Sequence, residues 1–450
     1  MFGNTLLEDV YRAMADVPVI DIHTHLVGGK LGARGLHDIL LYHMGVSDLY
    51  AAGCPTGSRL TEYPGWTDEA EAHGRIEEAL PFLPLVQNTS TSWTIRHILA
   101  DLYDWQDEIT VDNWRTLDAM IRERADDRAW HRTILDRVNI RRVGAEWARR
   151  EGGIDDDLFQ YSLEWVFFAR CRWGEFDTAL CELESAWGKK PGPATPIGSG
   201  PRPPVERRIT SIDDIHEAVH EYVRNIAETG VLTTAAHLST DLDLRAVDDD
   251  KMAAALRNRS RATEAERSIY ASYIQEAFLS SLEAYAPHVA FQFSFAAEPL
   301  PHETGSRLYQ RTLVQLAEIV HRHPGLRFQC FVASASANQS LCTLCRELPN
   351  LSLAGFWWHN FFPSIIRQVF EERLDMLPVN KHIAFFSDAY CVEWTYGKAH
   401  TARHALAEVF ARKIRTGQYS LPTAIDIARS ILFETPQTLL GFQPMPLIKE

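Results

Sequence analysis

Eight short runs rich in β-branched and aromatic residues alternate along the chain with helical stretches, and the runs are apolar almost throughout. Strands that read this way are parallel and covered by helices, so the sequence predicts an α/β fold of the (β/α)8 TIM-type barrel class. A third observation supports closure of the sheet. Two histidines end the first run and an aspartate ends the last, and the ends of these runs are neighbours only in a closed barrel.

In order, the predicted strands are VPVIDIHTH (17–25), VNIRRVGAE (138–146), LEWVFFARCRW (163–173), GVLTTAAHLS (230–239), HVAFQFSFAAE (288–298), LRFQCFVAS (326–334), LSLAGFWW (351–358) and HIAFFSDAY (382–390). The opening MFGNTLLEDVYRAMADVP carries acids throughout and reads as a helix leading into the first strand, not as an export signal. Residues 27–137 are too long for one crossover. In TSWTIRHILADLYDW, Ile95, Ile98, Leu99, Leu102 and Tyr103 fall on one helical face. The expected arrangement is one barrel domain over 1–450 with 27–137 as a helical cap inserted in it. The Pro- and Gly-rich stretch 188–208 reads as a flexible surface excursion within that domain. Cys342 and Cys345 have CxxC spacing but no second ligand pair, which favours helix packing over a zinc or redox site. Glycine after the last apolar residues of AIDIARSILFETPQTLLGF reads as a stop.

Composition narrows the function classes. The chain has 450 residues, 46% hydrophobic and 23% charged, which suits a globular protein with a large core. Lys plus Arg is 45 against 60 for Asp plus Glu, a formal charge of −15 that argues against nucleic acid or an anionic membrane as partner. No apolar run reaches spanning length. Seven scattered cysteines fit a reducing cytoplasm. The acidic surface permits a homo-oligomer without specifying one.

Alternate strand residues share a face, so Asp21, His23 and His25 point the same way and both imidazoles can reach one ion. Neutral imidazole is the commonest metal ligand. Asp388, ending the apolar FFSD, needs a nearby cation or a capping role. A cation shared by His23, His25 and Asp388 accounts for all three.

HxH ending strand one and Asp ending strand eight resemble the metal-dependent amidohydrolase superfamily. The stretches LHDILLYHMGVSDLY, NTSTSWTIRHILADLY, GFWWHNFFPSIIRQVFEERLDML and SDAY are similar to its uronate isomerase branch, and the likeness runs over nearly the whole chain. The resemblance implies that His23, His25 and Asp388 hold one divalent metal ion, with Zn²⁺ the expected ion. It implies proton-transfer roles for Asp388, His43 and His237. Arg170 or Arg172 matches an arginine near the substrate carboxylate; strand periodicity points both to one face, and Arg172 is preferred. Trp357 and Trp358 match paired tryptophans of the family, although one of two adjacent strand residues belongs to the core.

Several positions depart from the family pattern. Met44 stands where a tyrosine is usual, Ser294 where a histidine is, Ala236 where an aspartate is and Tyr390 where an arginine is. The acidic loop after strand two is replaced by GAEWARR with Glu146. Met44, Ser294 and Tyr390 are therefore expected to face a changed substrate beside a retained metal.

The leading expectation is aldose–ketose isomerisation of a carboxylate-bearing sugar derivative, or a related polyhydroxylated carbonyl compound, by proton transfer between C2 and C1. Metal-dependent hydrolysis or decarboxylation of another small substrate is the alternative. A non-catalytic binding barrel is the third, and the triad argues against it because a scaffold has no need of a metal cluster.

Overall fold

The structure, a computed structural model, describes residues 3–55, 68–164, 176–188, 207–237, 245, 248–295, 308–357 and 361–442. The strands are β1 (Val19–Thr24), β2 (Ile140–Glu146), β3 (Phe159–Glu164), β4 (Thr233–His237), β5 (Ala290–Phe295), β6 (Phe328–Val332), β7 (Leu351–Ala354) and β8 (His382–Ile383). They pair in parallel in sequence order, β1 to β8. α-Helices intervene between successive strands, as a (β/α)8 barrel requires, except between β2 and β3, which are joined through the 3-10 turn Trp147–Arg149.

The sheet curls until the C-terminal end of β1 meets the segment after β8. The Asp388 amide donates to the His23 carbonyl at 2.9 Å, and the His25 amide donates to the Ala389 carbonyl at 2.8 Å. These bonds lie beyond the short β8 ladder, at the C-terminal end of β1. Phe291, Phe293 and Phe328 are buried on the helix-facing side of β5 and β6, where Phe291 meets Phe278 and the Phe293 and Phe328 rings stack at 5.7 Å, while Phe331 is buried beside His23 on the other face. On the face opposite Phe291 and Phe293, Gln292 and Gln329 are joined by a 2.8 Å side-chain hydrogen bond, which meets the demand that buried amides be paired.

The largest differences from the predicted strand ends fall at β3, β7 and β8. β3 starts at Phe159, four residues before the predicted start, and its described part ends at Glu164. Its polar–apolar alternation, Phe-Gln-Tyr-Ser-Leu, was hidden by the more apolar stretch that follows. β7 ends at Ala354, where Gly355 turns the chain with φ 53°. β8 keeps regular pairing only over His382–Ile383, after which an extended segment carries Asp388.

Between β1 and β2 lie several helices, including His43–Ala51 and Ser90–Tyr103. The second is capped by Thr89, whose hydroxyl accepts the Ser92 amide, and it buries Ile95, Ile98, Leu99, Leu102 and Tyr103 as its periodicity predicts. It packs against the helix Val392–Arg415 at Gly397, where a Cβ would stand 2.7 Å from Ile98 and Thr94. Glu393 ties the same helix to this region by accepting the Ala33 amide and the Tyr103 hydroxyl. Cys342 and Cys345 are fully buried on the helix Asn338–Glu347, and burial pushes the Cys345 thiol up to about 12, which suits packing rather than redox chemistry. All six described cysteines are free. Most of 188–208 lies outside the described residues. Among the described residues no helix is long and apolar enough to cross a membrane.

Candidate metal centre

The approach of β1 to β2 sets the first two imidazoles. Gly144 sits against the Ile22 carbonyl with no room for a Cβ, and the Thr24 hydroxyl donates to the Gly144 carbonyl at 2.8 Å. Strand alternation then turns His23 into the barrel, its ring edge-on to Phe331 and Phe386 at 5.7 Å each. His25 follows one residue after the strand ends. Its ring lies 5.1 Å from that of His23 and stacks on Tyr390 at 4.4 Å.

Asp388 meets both. Its Oδ1 lies 3.3 Å from His23 Nε2 and 3.2 Å from His25 Nε2, while Oδ2 lies 3.6 Å from His43 Nε2. One ligand atom from each of His23, His25 and Asp388 falls within 4.8 Å of the others, the only such group among the described residues. Two imidazole nitrogens and a carboxylate oxygen, half-buried to buried, are a donor set that fits a divalent ion of the zinc type. Burial alone would raise the Asp388 carboxyl, but the bonds from His23 and His25 hold it well below the ordinary carboxylate range. Burial alone would lower His25, yet Asp388 and Glu146 carry it up to about 9.

Asp388 has left-handed backbone, φ 55°, a conformation that costs a non-glycine residue about 1 kcal/mol or more. The sequence reading of a strand residue is corrected here: the left-handed turn, not strand alternation, aims this carboxylate. Its carbonyl accepts the Tyr42 hydroxyl at 2.7 Å, and Lys398 Nζ donates to that hydroxyl at 2.8 Å. Lys398 is buried between the Tyr42 and Phe361 rings, and burial draws its pKa down to about 8 against the pull of Asp388 and Asp21. Asp21, fully buried beneath the histidines, accepts the Ser387 amide; burial pushes it up to about 7.

Of the other sequence candidates, Tyr390 lies on the His25 ring, and His43 heads its helix beside Asp388. Met44 is partly buried against the core. Ser294 pairs in register with His237, the last residue of β4. Trp357 is buried in the core cluster that includes Phe386. The His237 side chain, Arg170, Arg172 and Trp358 lie outside the described residues. Sequence reasoning noted Glu146 only as a departure from the family pattern and gave no role at this centre to Glu146, Arg149, Tyr42 or Lys398. Glu146 had a usable signal, since it ends a barrel strand as the histidines do. Lys398 had none, because its helix also carries Glu393, Arg403 and Lys413 at buried positions.

No family model matches the chain, and no curated protein sequence does. Solved structures do. Glucuronate isomerase from Caulobacter crescentus is similar with a TM-score of 0.77 at 14% identity, covering 99% of this chain and 95% of that one. A uronate isomerase from Bacillus halodurans C-125 is similar at 0.68 and 16%, covering 98% and 97%. A Lactobacillus casei protein described as a metal-dependent hydrolase is similar at 0.59 and 13%, covering 96% and 97%. At these identities the likeness carries the architecture, and over nearly its whole length the chain has the fold of the uronate isomerases.

Proposed function

We propose that the protein is a metal-dependent isomerase that interconverts the aldose and ketose forms of a sugar acid, or of a related polyhydroxylated carbonyl compound. The observation that carries this reading is the convergence of His23, His25 and Asp388 within 4.8 Å where β1 meets the segment after β8. The whole-length likeness to uronate isomerases supports it. His23, His25 and Asp388 would hold one divalent ion, Zn²⁺ by the donor set. When bound, such an ion supplies Lewis-acid stabilisation of charge developing on a substrate oxygen.

The chain's own groups divide the proton work. Asp388 presents Oδ1 to the two histidines and Oδ2 toward His43, so one oxygen serves the ligand set and the other faces a proton-carrying imidazole. Asp388 takes the proton from C2 and returns it at C1, while His43, with His237 as the alternative shuttle, passes the hydroxyl proton from O2 to O1. Arg170 or Arg172 would bind the substrate carboxylate by paired hydrogen bonds. Tyr390, Met44, Ser294, Trp357 and Trp358 would shape the rest of the pocket. In this reading the chain works as one domain, with residues 27–137 as its cap, in the reducing cytoplasm that its free cysteines suit. Purified protein supplied with Zn²⁺ and either glucuronate or galacturonate should form ketose. Failure with both while the ion is bound removes the sugar-acid claim.

Metal-dependent hydrolysis or decarboxylation is favoured instead by one feature, the Tyr390 ring stacked on His25 where the family places a cation. The likeness to the Lactobacillus protein supports it too. Incorporation of ¹⁸O from water into product, across lactones, esters and amides, separates hydrolysis from isomerisation.

A further inference from the structure

We propose that Glu146 is a positioning residue that orients His25 for metal binding, a role that rests on the metal reading above. The placement follows from strand register. In the parallel pairing of β1 with β2, Thr24 lies opposite Ala145, so the next residues along the two segments, His25 and Glu146, emerge side by side. Glu146 Oε1 stands 3.1 Å from His25 Nδ1, while His25 Nε2 stands 3.2 Å from Asp388 Oδ1. The two nitrogens of one imidazole thus face two different carboxylates. With its proton on Nδ1, facing the Glu146 carboxylate, His25 directs the Nε2 lone pair at the His23 and Asp388 ligand atoms.

The carboxylate is itself held. Arg149 Nε donates to Glu146 Oε2 at 3.1 Å, and Nη1 of the same guanidinium donates to the His25 carbonyl at 3.1 Å. Glu146, Arg149 and the His25 backbone therefore form a closed ring of contacts. Tyr390 stacks on the imidazole at 4.4 Å, and the Arg149 guanidinium lies 5.6 Å from the Tyr390 ring centroid. Glu146 is not in the ligand group, because it approaches His25 from the side opposite Asp388. Outer carboxylates of this kind fix the tautomer and raise the basicity of a ligating histidine, and their loss costs about 10- to 100-fold in metal affinity.

Calorimetric titration of the chelator-stripped protein with Zn²⁺ tests this on wild type, Glu146→Gln, Glu146→Ala and Arg149→Met, with circular dichroism melts to confirm folding. All four should bind one ion per chain. Affinity should fall about 10-fold in Glu146→Gln, whose amide oxygen can still accept a hydrogen bond from Nδ1–H, and toward 100-fold in Glu146→Ala. Histidine ¹⁵N spectra of the zinc-loaded protein should show His25 protonated at Nδ1 in wild type and a weakened Nδ1–H bond in Glu146→Ala. If Glu146→Ala does not fold, the near-isosteric Glu146→Gln decides alone. Affinity within about twofold of wild type in the variants overturns the inference and leaves the metal reading standing. Loss of stoichiometric binding in Glu146→Gln, with His23 and His25 intact, overturns it by making Glu146 a direct ligand. A wild-type protein that takes up no ion removes the metal reading and this inference together.

Discussion

Two clusters of histidines in this molecule behave in opposite ways. At the barrel mouth, the His23 and His25 rings are 5.1 Å apart; on the outer helices, His97 and His400 are closer, at 4.5 Å, with His404, Trp93 and Tyr11 around them. Only the mouth forms a ligand group among the described residues. The difference is where the carboxylates stand. Asp388 Oδ1 is shared by both mouth imidazoles, whereas Asp101 lies 3.8 Å from His97 and Glu408 lies 3.2 Å from His404, each serving one ring from the edge. The outer His400 gives its Nδ1 to the Tyr11 hydroxyl instead. Electrostatics follows: His25 is carried up to about 9, while burial and then the neighbouring His97 draw His400 down to about 4. Nearness of imidazoles does not make a metal site; a common carboxylate does.

The largest expected effect comes from removing that common carboxylate. Asp388→Asn should cut turnover by about 10³-fold or more, since it removes both a ligand charge and the proposed base. Asp101→Asn should leave turnover within about twofold, because an exposed edge carboxylate contributes little. Steady-state kinetics on the two variants with the same substrate would break the comparison if the losses were alike.

The support behind the mouth is next. Tyr42→Phe deletes the donor to the Asp388 carbonyl and the acceptor of Lys398, leaving two buried groups short of a partner. A loss of about 1–3 kcal/mol in denaturant unfolding is expected, with weaker Zn²⁺ binding. Unchanged unfolding with unchanged binding would show that the left-handed turn at Asp388 stands without its prop.

The two clusters should also respond oppositely to pH in the chelated protein. His25 has a folded pKa of about 9, above its ordinary 6.5, so its stabilisation is complete below pH 6.5 and lost as pH rises through 9. His400 is depressed to about 4, so the unfolded chain binds the proton more readily and stability falls as pH drops from 6.5 toward 4. His25→Asn should flatten the alkaline side of a stability–pH curve, and His400→Asn the acid side. Slopes that do not separate this way contradict the electrostatic contrast.

The smallest effect sharpens the contrast by its size. The double variant His400→Ala with His404→Ala should bind the same single ion as wild type with unchanged affinity. A second equivalent lost in that variant would mean that the outer cluster binds metal as well.

Much of this was legible in the sequence, for local reasons. The buried face of Ser90–Tyr103 followed from 3.6-residue spacing, and eight apolar runs predicted eight strands. HxH on β1 marked two imidazoles on one face because strand period is two. The start of β3 was set four residues late because its alternating segment is less apolar than the residues after it.

The chain by itself determined which segments pair and which side chains could carry metal chemistry, since periodicity and residue type act within a few positions. Only the tertiary structure decided that one Asp388 oxygen serves two histidines from 363 positions away or more, and that the carboxylate is aimed by a left-handed turn. Only it brought Glu146 beside His25 and Lys398 behind Tyr42. Those contacts depend on strand register and on where the sheet closes, and no local pattern records the meeting of residues that lie hundreds of positions apart.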